Sequence, residues 1–268
     1  MNKEVDFLLR KSNYTYDDLV KIMSILRCLC PWDKEQTHKS IRNNLIEETY
    51  EAIEAIDSDN DELLKEELGD ILLQVVFHCE ISCNEGKFNI DEVCDGICKK
   101  LILRHPHIFS DVLANTTNQV LKNWDEIKKN EKGHSTHSQV LQSVAKSLPS
   151  LIRSQKIQKK AAKIGFDWDS VDGAIDKAYE ELLELKEAIV LGDKYHIKEE
   201  LGDLLFAVVN ISRFIDCDSE QALYSACDKF TYRFSKMEQL ALNQGKNLEQ
   251  LSLKEMDILW DKTKLFNL

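Results

Sequence analysis

Lys65-Glu66-Glu67-Leu68-Gly69-Asp70 recurs letter for letter as Lys198-Glu199-Glu200-Leu201-Gly202-Asp203, and the two copies begin 198 − 65 = 133 residues apart in a chain of 268. The E-E-x-x-E pattern of residues 47–51 recurs at residues 180–184, which is the same offset. A period of this length is typical of a duplicated domain, whereas solenoid repeats are much shorter. The sequence therefore predicts two domains of similar build.

The boundary between the two predicted domains lies in a polar stretch. Residues 130–138, Asn-Glu-Lys-Gly-His-Ser-Thr-His-Ser, carry no apolar side chain. Stretches of this kind connect domains, because few contacts cross them. We therefore expect a first domain at residues 1–131, a linker at residues 132–140 and a second domain at residues 141–268.

The composition favours long helices in both domains. The chain has only nine Gly and three Pro, and an all-β fold with frequent turns would need more of both. Apolar residues at helical spacing predict a helix over residues 41–56 and another over residues 62–83, with Asp61 as the N-cap of the second. The break at residues 57–61 is so short that the two helices must be antiparallel neighbours.

The second copy predicts the same hairpin. A helix over residues 174–191 is followed by Gly192, which is typical of a helix C-terminus, and by Asp193 as the next N-cap. The predicted fold class is therefore all-α, with tandem duplicated helical-bundle domains.

Within each predicted hairpin the acidic side chains lie at matched heights. Counted from residue 59 in the loop, Glu51 and Glu67 are each eight residues away (59 − 51 and 67 − 59). Glu48 and Asp70 are each eleven residues away (59 − 48 and 70 − 59). Equal counts mean equal heights, since an α-helix rises about 1.5 Å per residue. The second copy repeats both distances about Gly192, with the corresponding residues Glu184, Glu200, Glu181 and Asp203.

Four carboxylates that face one another in a partly buried place repel strongly unless a cation neutralises them. All-oxygen ligand sets are what Mg²⁺ or Mn²⁺ prefers, so the pattern indicates one divalent-cation site in each domain. The alternative is that these Glu-rich helices are solvated faces with no ligand. The duplicated spacing, beside apolar residues such as Leu68 and Leu72, favours the metal site.

Charge and cysteine pattern exclude several other classes. The 35 basic and 47 acidic residues give a formal charge of −12, which argues against a general nucleic-acid-binding face. The eight cysteines form no Cys-x-x-Cys pair, so we expect reduced structural thiols. The N-terminal residues lack the pattern of a signal peptide, and no apolar run is long enough for a membrane span. We expect a soluble cytoplasmic protein with no membrane partner.

Together the acidic motifs identify a resemblance to a known family. Glu-Glu-x-x-Glu followed by Glu-Leu-Gly-Asp resembles the MazG family of nucleoside triphosphate pyrophosphohydrolases, within the all-α NTP pyrophosphatase superfamily. Further matches cover nearly the whole chain and include C-P-W-D-K-E-Q-T (30–37), R-H-P-H (104–107), Q-K-I-Q (155–158) and G-F-D-W (165–168). The resemblance implies Mg²⁺-dependent hydrolysis of NTPs to NMP and pyrophosphate, by a homodimer whose helices complete bundles between subunits.

The resemblance also implies roles for individual residues. It places the metal ligands, and with them the catalytic residues, at Glu181, Glu184, Glu200 and Asp203. The same motif in the first half gives the metal ligands Glu48, Glu51, Glu67 and Asp70. It places nucleotide contacts at Lys177, Lys229, Arg233, Trp260 and Lys264, and the first-half counterparts of the last four are Lys100, Arg104, Trp124 and Lys128. One position departs from the family, because His196 stands where a phosphate-binding Lys would be usual.

The residue types agree with this assignment. Lys229 and Arg233 are four residues apart and share a helix face, and paired cations suit a triphosphate. Trp260 lies four residues before Lys264, which places an aromatic ring beside a cation. Basic pairs at this spacing are otherwise solvated helix surface. Trp168, like Trp32, is followed by Asp. Two roles are open for each of these Trp residues, namely to flank a nucleobase or to be part of the core.

The charges predict a mechanism. Mg²⁺ on the four carboxylates is expected to bridge phosphate oxygens and activate a water for attack at the α-phosphorus, while the basic side chains stabilise the leaving pyrophosphate. The alternative function is a non-catalytic nucleotide-binding or regulatory module, in one or both domains. Glu35-x-x-His38 and Glu131-x-x-His134 have the spacing of di-iron bundles, but neither motif lies on the acidic helices.

Overall fold

In the computed structural model, which describes residues 3–110, 112, 116–131 and 136–265, every regular element is a helix. The chain divides into two compact units, Met1–Glu131 and Lys132–Leu268. The prediction of an all-α chain is confirmed. None of the described helices combines the length and the apolar character that crossing a membrane requires.

Eight helices form the described part of the first unit. They are α1 Lys3–Leu9, α2 Tyr16–Leu29, α3 Pro31–Glu35, α4 Arg42–Asp57, α5 Asp61–Asn84, α6 Ile90–Arg104, α7 Pro106–Phe109 and α8 Thr117–Glu131. The helices α4 and α5 pack on each other as the predicted hairpin, and α2 packs on α5. A buried cluster on and around these helices forms the core, with Met23, Ile41, Val76, Phe77 and Ile81 as its members.

The loop of the first hairpin is shorter than the sequence predicts. The helix α4 continues through Asp57, and α5 already begins at Asp61. Asn60, rather than Asp61, is the N-cap, because its side chain accepts a hydrogen bond from the Leu63 N–H at 3.2 Å. Asp59 adopts a positive φ of 50°, a conformation that Asp tolerates better than most residues. The prediction of Asp61 as the cap was therefore wrong by one residue.

Six helices and one 3₁₀ turn form the described part of the second unit. They are α9 His137–Gln142, α10 Ser150–Ala162, α11 Val171–Leu191, α12 Lys194–Phe214, α13 Ser219–Leu242, the 3₁₀ turn Leu248–Gln250 and α14 Leu253–Thr263. The helices α11 and α12 form the second hairpin, α10 packs on α12 and α13, and α14 packs on α13. Gly192 ends α11 with a φ of 74°, and Asp193 caps α12, so both predictions at this turn are confirmed.

Part of the predicted linker is helical. Residues 132–135, including His134 of the Glu-x-x-His motif, lie outside the described residues. Residues 137–140 belong to α9, because Thr136 accepts a hydrogen bond from the Gln139 N–H at 3.2 Å and the Gln139 side chain binds the Thr136 N–H in return. This reciprocal capping starts the helix within the polar stretch.

Both hairpins expose an apolar stripe on the second helix. On α12 the side chains of Leu201, Leu205 and Val208 follow one another at i, i+4 and i+7 and are exposed by 46%, 52% and 50%. The same stripe recurs on α5, at residues that lie 133 positions earlier and are also exposed, namely Leu68, Leu72 and Val75. Apolar rows of this spacing normally pack on another helix.

Candidate metal and nucleotide site

The first hairpin brings three of its four predicted ligands together. Glu48 of α4 and Glu67 and Asp70 of α5 each offer a carboxylate oxygen, and these oxygens all lie within 4.8 Å of one another. Glu67 is buried, and the other two are half-buried. Helix geometry causes the convergence, because positions at matched heights on antiparallel neighbours face each other.

Mutual repulsion and burial perturb this acidic cluster. Burial is the main cause that raises the pKa of Glu48, and the charges of Asp70 and Glu51 add to it. Burial likewise raises the pKa of Glu67, together with the charges of Glu51, Asp70 and Glu48. Glu51 lies outside the group of three oxygens, yet its charge acts on both raised carboxylates. All four predicted ligands of the first domain are therefore electrostatically coupled.

The second hairpin repeats this arrangement, but a different one of its four predicted ligands lies outside the group of three. Glu181 and Glu184 of α11 and Glu200 of α12 offer oxygens within 4.8 Å of one another. Burial and then the charge of Glu181 raise the pKa of both Glu184 and Glu200. Asp203 is the predicted ligand outside this group, and its charge also raises the pKa of Glu200.

These donor sets fit a small divalent cation. Mg²⁺ binds oxygen at about 2.1 Å, so two ligands on opposite sides of one ion are about 4.2 Å apart. Carboxylate oxygens that already lie within 4.8 Å of one another need only small side-chain movements to share an ion. A bound cation also removes the repulsion that raises the carboxyl pKa values.

Lys177 is the predicted nucleotide residue that reaches the acidic cluster. Its Nζ donates a hydrogen bond to Oε1 of Glu180 at 2.7 Å, and it also lies 2.7 Å from Oε1 of Glu181. These two carboxylates raise the pKa of Lys177, with the Glu180 hydrogen bond as the larger cause. Lys177 lies one turn before Glu181 on α11, so the i, i+4 spacing accounts for the contact.

Trp168 lies in the loop just before the same helix, two residues ahead of its N-cap Ser170. Its ring packs on Gly173, because a Cβ at residue 173 would come within 3.0 Å of the ring atom Cε3. The preceding residue, Asp167, forms a two-point ion pair with the guanidinium of Arg213 on α12, and this pair ties the loop to the hairpin. Trp168 is 47% exposed, so it is no core residue. Neither Gly173 nor Arg213 is predicted from the sequence, and the proximity of Arg213 to Asp167 is visible only in three dimensions.

The other nucleotide residues of the second domain lie on α13 and α14 rather than on the acidic hairpin. Lys229 and Arg233 share α13, and the ring of Trp260 on α14 packs against Phe230 with 5.2 Å between ring centroids. The buried Nε of Arg233 has no hydrogen-bond partner among the described residues. Lys264 is the C-cap of α14. Trp260 and Arg233 thus lie on two helices that pack together.

The corresponding residues of the first domain are engaged with their own neighbours. Arg104 donates from Nε and Nη2 to Oε2 of Glu131, at 2.9 and 2.6 Å. The ammonium of Lys128 lies over the ring of Trp124, 4.0 Å from its centroid. Lys100 is exposed on α6. Protein groups therefore partly cover the guanidinium of Arg104 and the ring of Trp124, which the prediction assigns to nucleotide binding.

The two remaining sequence features have local roles. His196 pairs with Asp193, the N-cap of α12, with 3.0 Å between Nδ1 and Oδ2. Nδ1 of His38 lies 2.8 Å from Nδ1 of His78, and Ser82 Oγ lies 3.1 Å from Nε2 of His38. Burial is the main cause that lowers the pKa of His78. The contacts of His38 on α5 are therefore with His78 and Ser82 and not with the acidic cluster. The Glu-x-x-His motif that begins at residue 35 gains no support as a metal site.

Comparison with known proteins gives consistent matches. A family model described as the MazG nucleotide pyrophosphohydrolase domain matches residues 36–109 and 171–237. The nucleoside triphosphate pyrophosphohydrolase/pyrophosphatase MazG of Thermotoga maritima is 44% identical over 258 residues, which are 96% of this chain and 98% of that protein. The nucleoside triphosphate pyrophosphohydrolase of Escherichia coli K12 is 40% identical over 255 residues, 92% of this chain and 96% of that protein. An uncharacterized protein, YabN, of Bacillus subtilis is 44% identical over 262 residues, 96% of this chain but 53% of that protein.

Proposed function

Because this chain belongs to the MazG family of metal-dependent hydrolases, and is a nucleoside triphosphate pyrophosphohydrolase, we propose that it converts an NTP and water into an NMP and diphosphate with Mg²⁺ as its cofactor. Mn²⁺ is the expected substitute. The observation that carries the proposal is the pair of three-carboxylate groups, each with oxygens within 4.8 Å of one another.

In the second domain, Glu181, Glu184 and Glu200 hold the metal, and Asp203 completes the set. When bound, Mg²⁺ supplies charge for the phosphate oxygens and lowers the pKa of a coordinated water, which favours attack at the α-phosphorus. In the first domain the corresponding ligands are Glu48, Glu51, Glu67 and Asp70. The oxygen donors and the carboxyl pKa values, which burial and then repulsion raise, support this assignment, because a bound cation favours the ionised form of buried and mutually repelling carboxylates.

The second hairpin arranges an aromatic ring, a cation and the carboxylates along one helix. Gly173, Lys177 and Glu181 follow at four-residue intervals on α11, so each step along the axis is about 6 Å. We assign the base to the ring of Trp168 above Gly173, and the triphosphate, with the α-phosphorus that is attacked, to Lys177 and the carboxylates further along the helix. Stacking on an exposed ring is tolerant of base identity.

The remaining basic residues complete the nucleotide site of the second domain. Lys229, Arg233 and Lys264 neutralise the leaving diphosphate, and Trp260 gives a second aromatic surface. The buried, unpartnered Nε of Arg233 supports this role, because a donor in that state gains from a phosphate oxygen. His196 is left out, since Asp193 already engages it.

We propose a lesser role for the first domain. Glu131 pairs with Arg104, and Lys128 covers the ring of Trp124. In the second domain Lys264 also pairs with a neighbour, Asp261, but the Nε of Arg233 has no partner among the described residues and is available to a phosphate. The alternative function, a nucleotide-binding or regulatory module without turnover, is therefore assigned to the first domain alone. The second domain is the main active site.

We propose that the enzyme works as a homodimer. The apolar stripes of Leu201-Leu205-Val208 and of their counterparts on α5 support this, because a second copy can cover them with equivalent helices. A two-helix hairpin that leaves such a stripe exposed buries too little apolar surface by itself. Partner helices would complete a bundle around each acidic cluster.

The test uses a panel of NTPs with Mg²⁺ and separate measurement of diphosphate and orthophosphate. AMP and diphosphate are expected from ATP, whereas ADP and orthophosphate would refute attack at the α-phosphorus. Glu181→Ala is expected to abolish diphosphate release, and Glu48→Ala to retain most of it. Equal loss in both variants would contradict the division of labour. Binding of Mg-NTP without any turnover by the wild type would contradict the enzymatic proposal.

A further inference from the structure

The ammonium of Lys177 is held by one of the proposed metal ligands. Its Nζ lies 2.7 Å from Oε1 of Glu181, and the side chain of Glu181 is only 8% exposed. The second partner, Oε1 of Glu180 at the same distance, belongs to an exposed carboxylate that is outside the acidic cluster. Lys177 therefore has an alternative partner within reach if it leaves Glu181.

The first domain has no such cation at the equivalent place. Residue 177 − 133 = 44 is Asn44, while Glu181 corresponds to Glu48 at the same offset. Asn44 is neutral and half-buried on α4. The two acidic clusters thus offer the same kinds of ligand but differ by one positive charge that contacts a ligand.

We propose that Lys177 competes with the divalent metal for Glu181, so that the second domain binds free metal more weakly than the first and takes up metal and nucleotide together. The inference rests on the function proposed above, in which Glu181 is a metal ligand and Lys177 binds phosphate. A cation that enters the cluster must either displace the ammonium from Glu181 or approach it closely, and both are unfavourable.

Nucleotide removes this obstacle. Once the triphosphate is present, the ammonium of Lys177 gains phosphate oxygens as partners and the metal gains the oxygen of Glu181. Coupling between two ligands is reciprocal, so a nucleotide that tightens metal binding is itself bound more tightly when metal is present. In the first domain Asn44 carries no charge to be displaced, so the coupling there is expected to be smaller.

The experiment measures Mn²⁺ binding to the full-length chain by the loss of the free-ion EPR signal, without nucleotide. The first acidic set is disabled by Glu48→Gln and Glu67→Gln, so that binding reports the second domain. Lys177→Asn in this background is expected to tighten Mn²⁺ binding about tenfold, and Lys177→Gln is a second variant with the same loss of charge. In the reciprocal test, Glu181→Gln and Glu200→Gln disable the second acidic set, so that binding reports the first domain. Asn44→Lys in that background is expected to weaken Mn²⁺ binding by a similar factor.

The control is Lys186→Asn, which removes the same charge from the same helix. Lys186 is five residues after Glu181 and two after Glu184, which at 100° per residue places it about 140° and 200° around the helix from these ligands. No change in Mn²⁺ affinity is expected for this variant. A circular dichroism melt on each variant identifies any variant that does not fold. If a Lys177 variant does not fold, the effect of Asn44→Lys on Mn²⁺ affinity decides whether a lysine at this position competes with the metal.

The outcomes separate this inference from the proposed function. If the background chain binds Mn²⁺ and Lys177→Asn leaves its affinity unchanged or weakens it, the competition is refuted and the metal site stands. If Lys186→Asn tightens binding as much as Lys177→Asn, the effect is one of net charge, and the competition is again refuted. If neither background binds Mn²⁺, the metal site itself fails and this inference fails with it.

Discussion

The contact between Trp168 and Gly173 gives a sharp test of how the nucleotide is held. A Cβ added at residue 173 would lie 3.0 Å from Cε3, 3.2 Å from Cδ2 and 3.3 Å from Cβ of Trp168. Ordinary van der Waals contact begins near 3.4 Å, so in Gly173→Ala the ring must move outward by at least 3.4 − 3.0 = 0.4 Å. Because the ring is 47% exposed, we expect it to make this shift towards solvent and the variant to fold.

Two opposing effects set the stability of Gly173→Ala. Replacing Gly by Ala within a helix contributes about 1 kcal/mol, and displacement of the Trp168 ring offsets this gain. Gly96→Ala on α6 calibrates the first effect, since nothing lies within 4 Å of a Cβ at that position. We expect Gly96→Ala to be more stable than the wild type by about 1 kcal/mol and Gly173→Ala to be close to the wild type. Urea denaturation of both variants measures the difference.

The functional effect follows from base stacking. Stacking of a base on an aromatic side chain contributes about 1–3 kcal/mol, and each 1.4 kcal/mol is a factor of ten. Trp168→Ala is therefore expected to raise KM for the NTP about 5- to 150-fold, and Gly173→Ala, which only displaces the ring, about 3- to 10-fold. Gly96→Ala should leave KM unchanged. Diphosphate release at several NTP concentrations gives KM for each variant.

Two results would refute this reasoning. If Gly173→Ala is stabilised as much as Gly96→Ala, the Trp168 ring does not rest on residue 173. If Trp168→Ala changes kcat but leaves KM unaltered, the ring does not bind the base.

Three further predictions concern stability and assembly. Burial, together with the charges of neighbouring carboxylates, raises the pKa of Glu48 and Glu67 above the usual value of 4.5. The ionised carboxylates therefore weaken the fold as pH rises through these raised pKa values. In EDTA the melting temperature should rise as the pH falls from neutrality towards the ordinary carboxyl range, and excess Mg²⁺ should abolish this slope. Identical profiles with and without Mg²⁺ would contradict the site. The Lys11 ion pair and the Thr15 backbone hydrogen bond lower the pKa of Asp18, the N3 residue of the α2 capping box, from 3.8 to about 2. The stability that the wild type has over Asp18→Asn should therefore be full above about pH 4 and fade towards pH 2 in urea titrations. A constant difference would be evidence against this interaction. Leu205→Glu should convert the proposed dimer into monomers in light scattering, and a wild type that is itself monomeric would disprove the dimer.

The sequence could predict the hairpins because their signals are local. Gly192 and Asp193 end one helix and begin the next through interactions with adjacent backbone, and both were read correctly. The cap of α5 was misplaced by one residue, since Asn60 and Asp61 are both good caps and the choice depends on the loop geometry. Thr136 and Gln139 are polar residues of the predicted linker that also begin a helix, so polarity by itself does not distinguish a linker from a helix N-terminus.

The carboxylate clusters were partly predictable for the same reason. Helix rise and a short loop place Glu48, Glu67 and Asp70 at matched heights, and the structure brings their oxygens together. One predicted ligand of each set lies outside the group of three. Which one it is depends on side-chain rotamers and on the angle at which the helices cross, and the residue spacing in the sequence specifies neither of these. The predicted ligand that lies outside the group of three is therefore Glu51 in one domain and Asp203 in the other.

The sequence by itself determined the duplicated all-α architecture, the two acidic helices of each hairpin and the residue types that suit a metal and a triphosphate, because each of these depends on periodicity within one or two neighbouring helices. Only the tertiary structure decided that Arg213 anchors the Trp168 loop, that Glu131 engages Arg104, and that the charge of Lys177 rests on Glu181. The first two contacts join residues 46 and 27 positions apart, so packing in three dimensions decides them and no pattern along the chain encodes them. The i, i+4 spacing permits the third contact, but the burial of Glu181, which makes the ammonium an important partner for it, is decided by the tertiary structure.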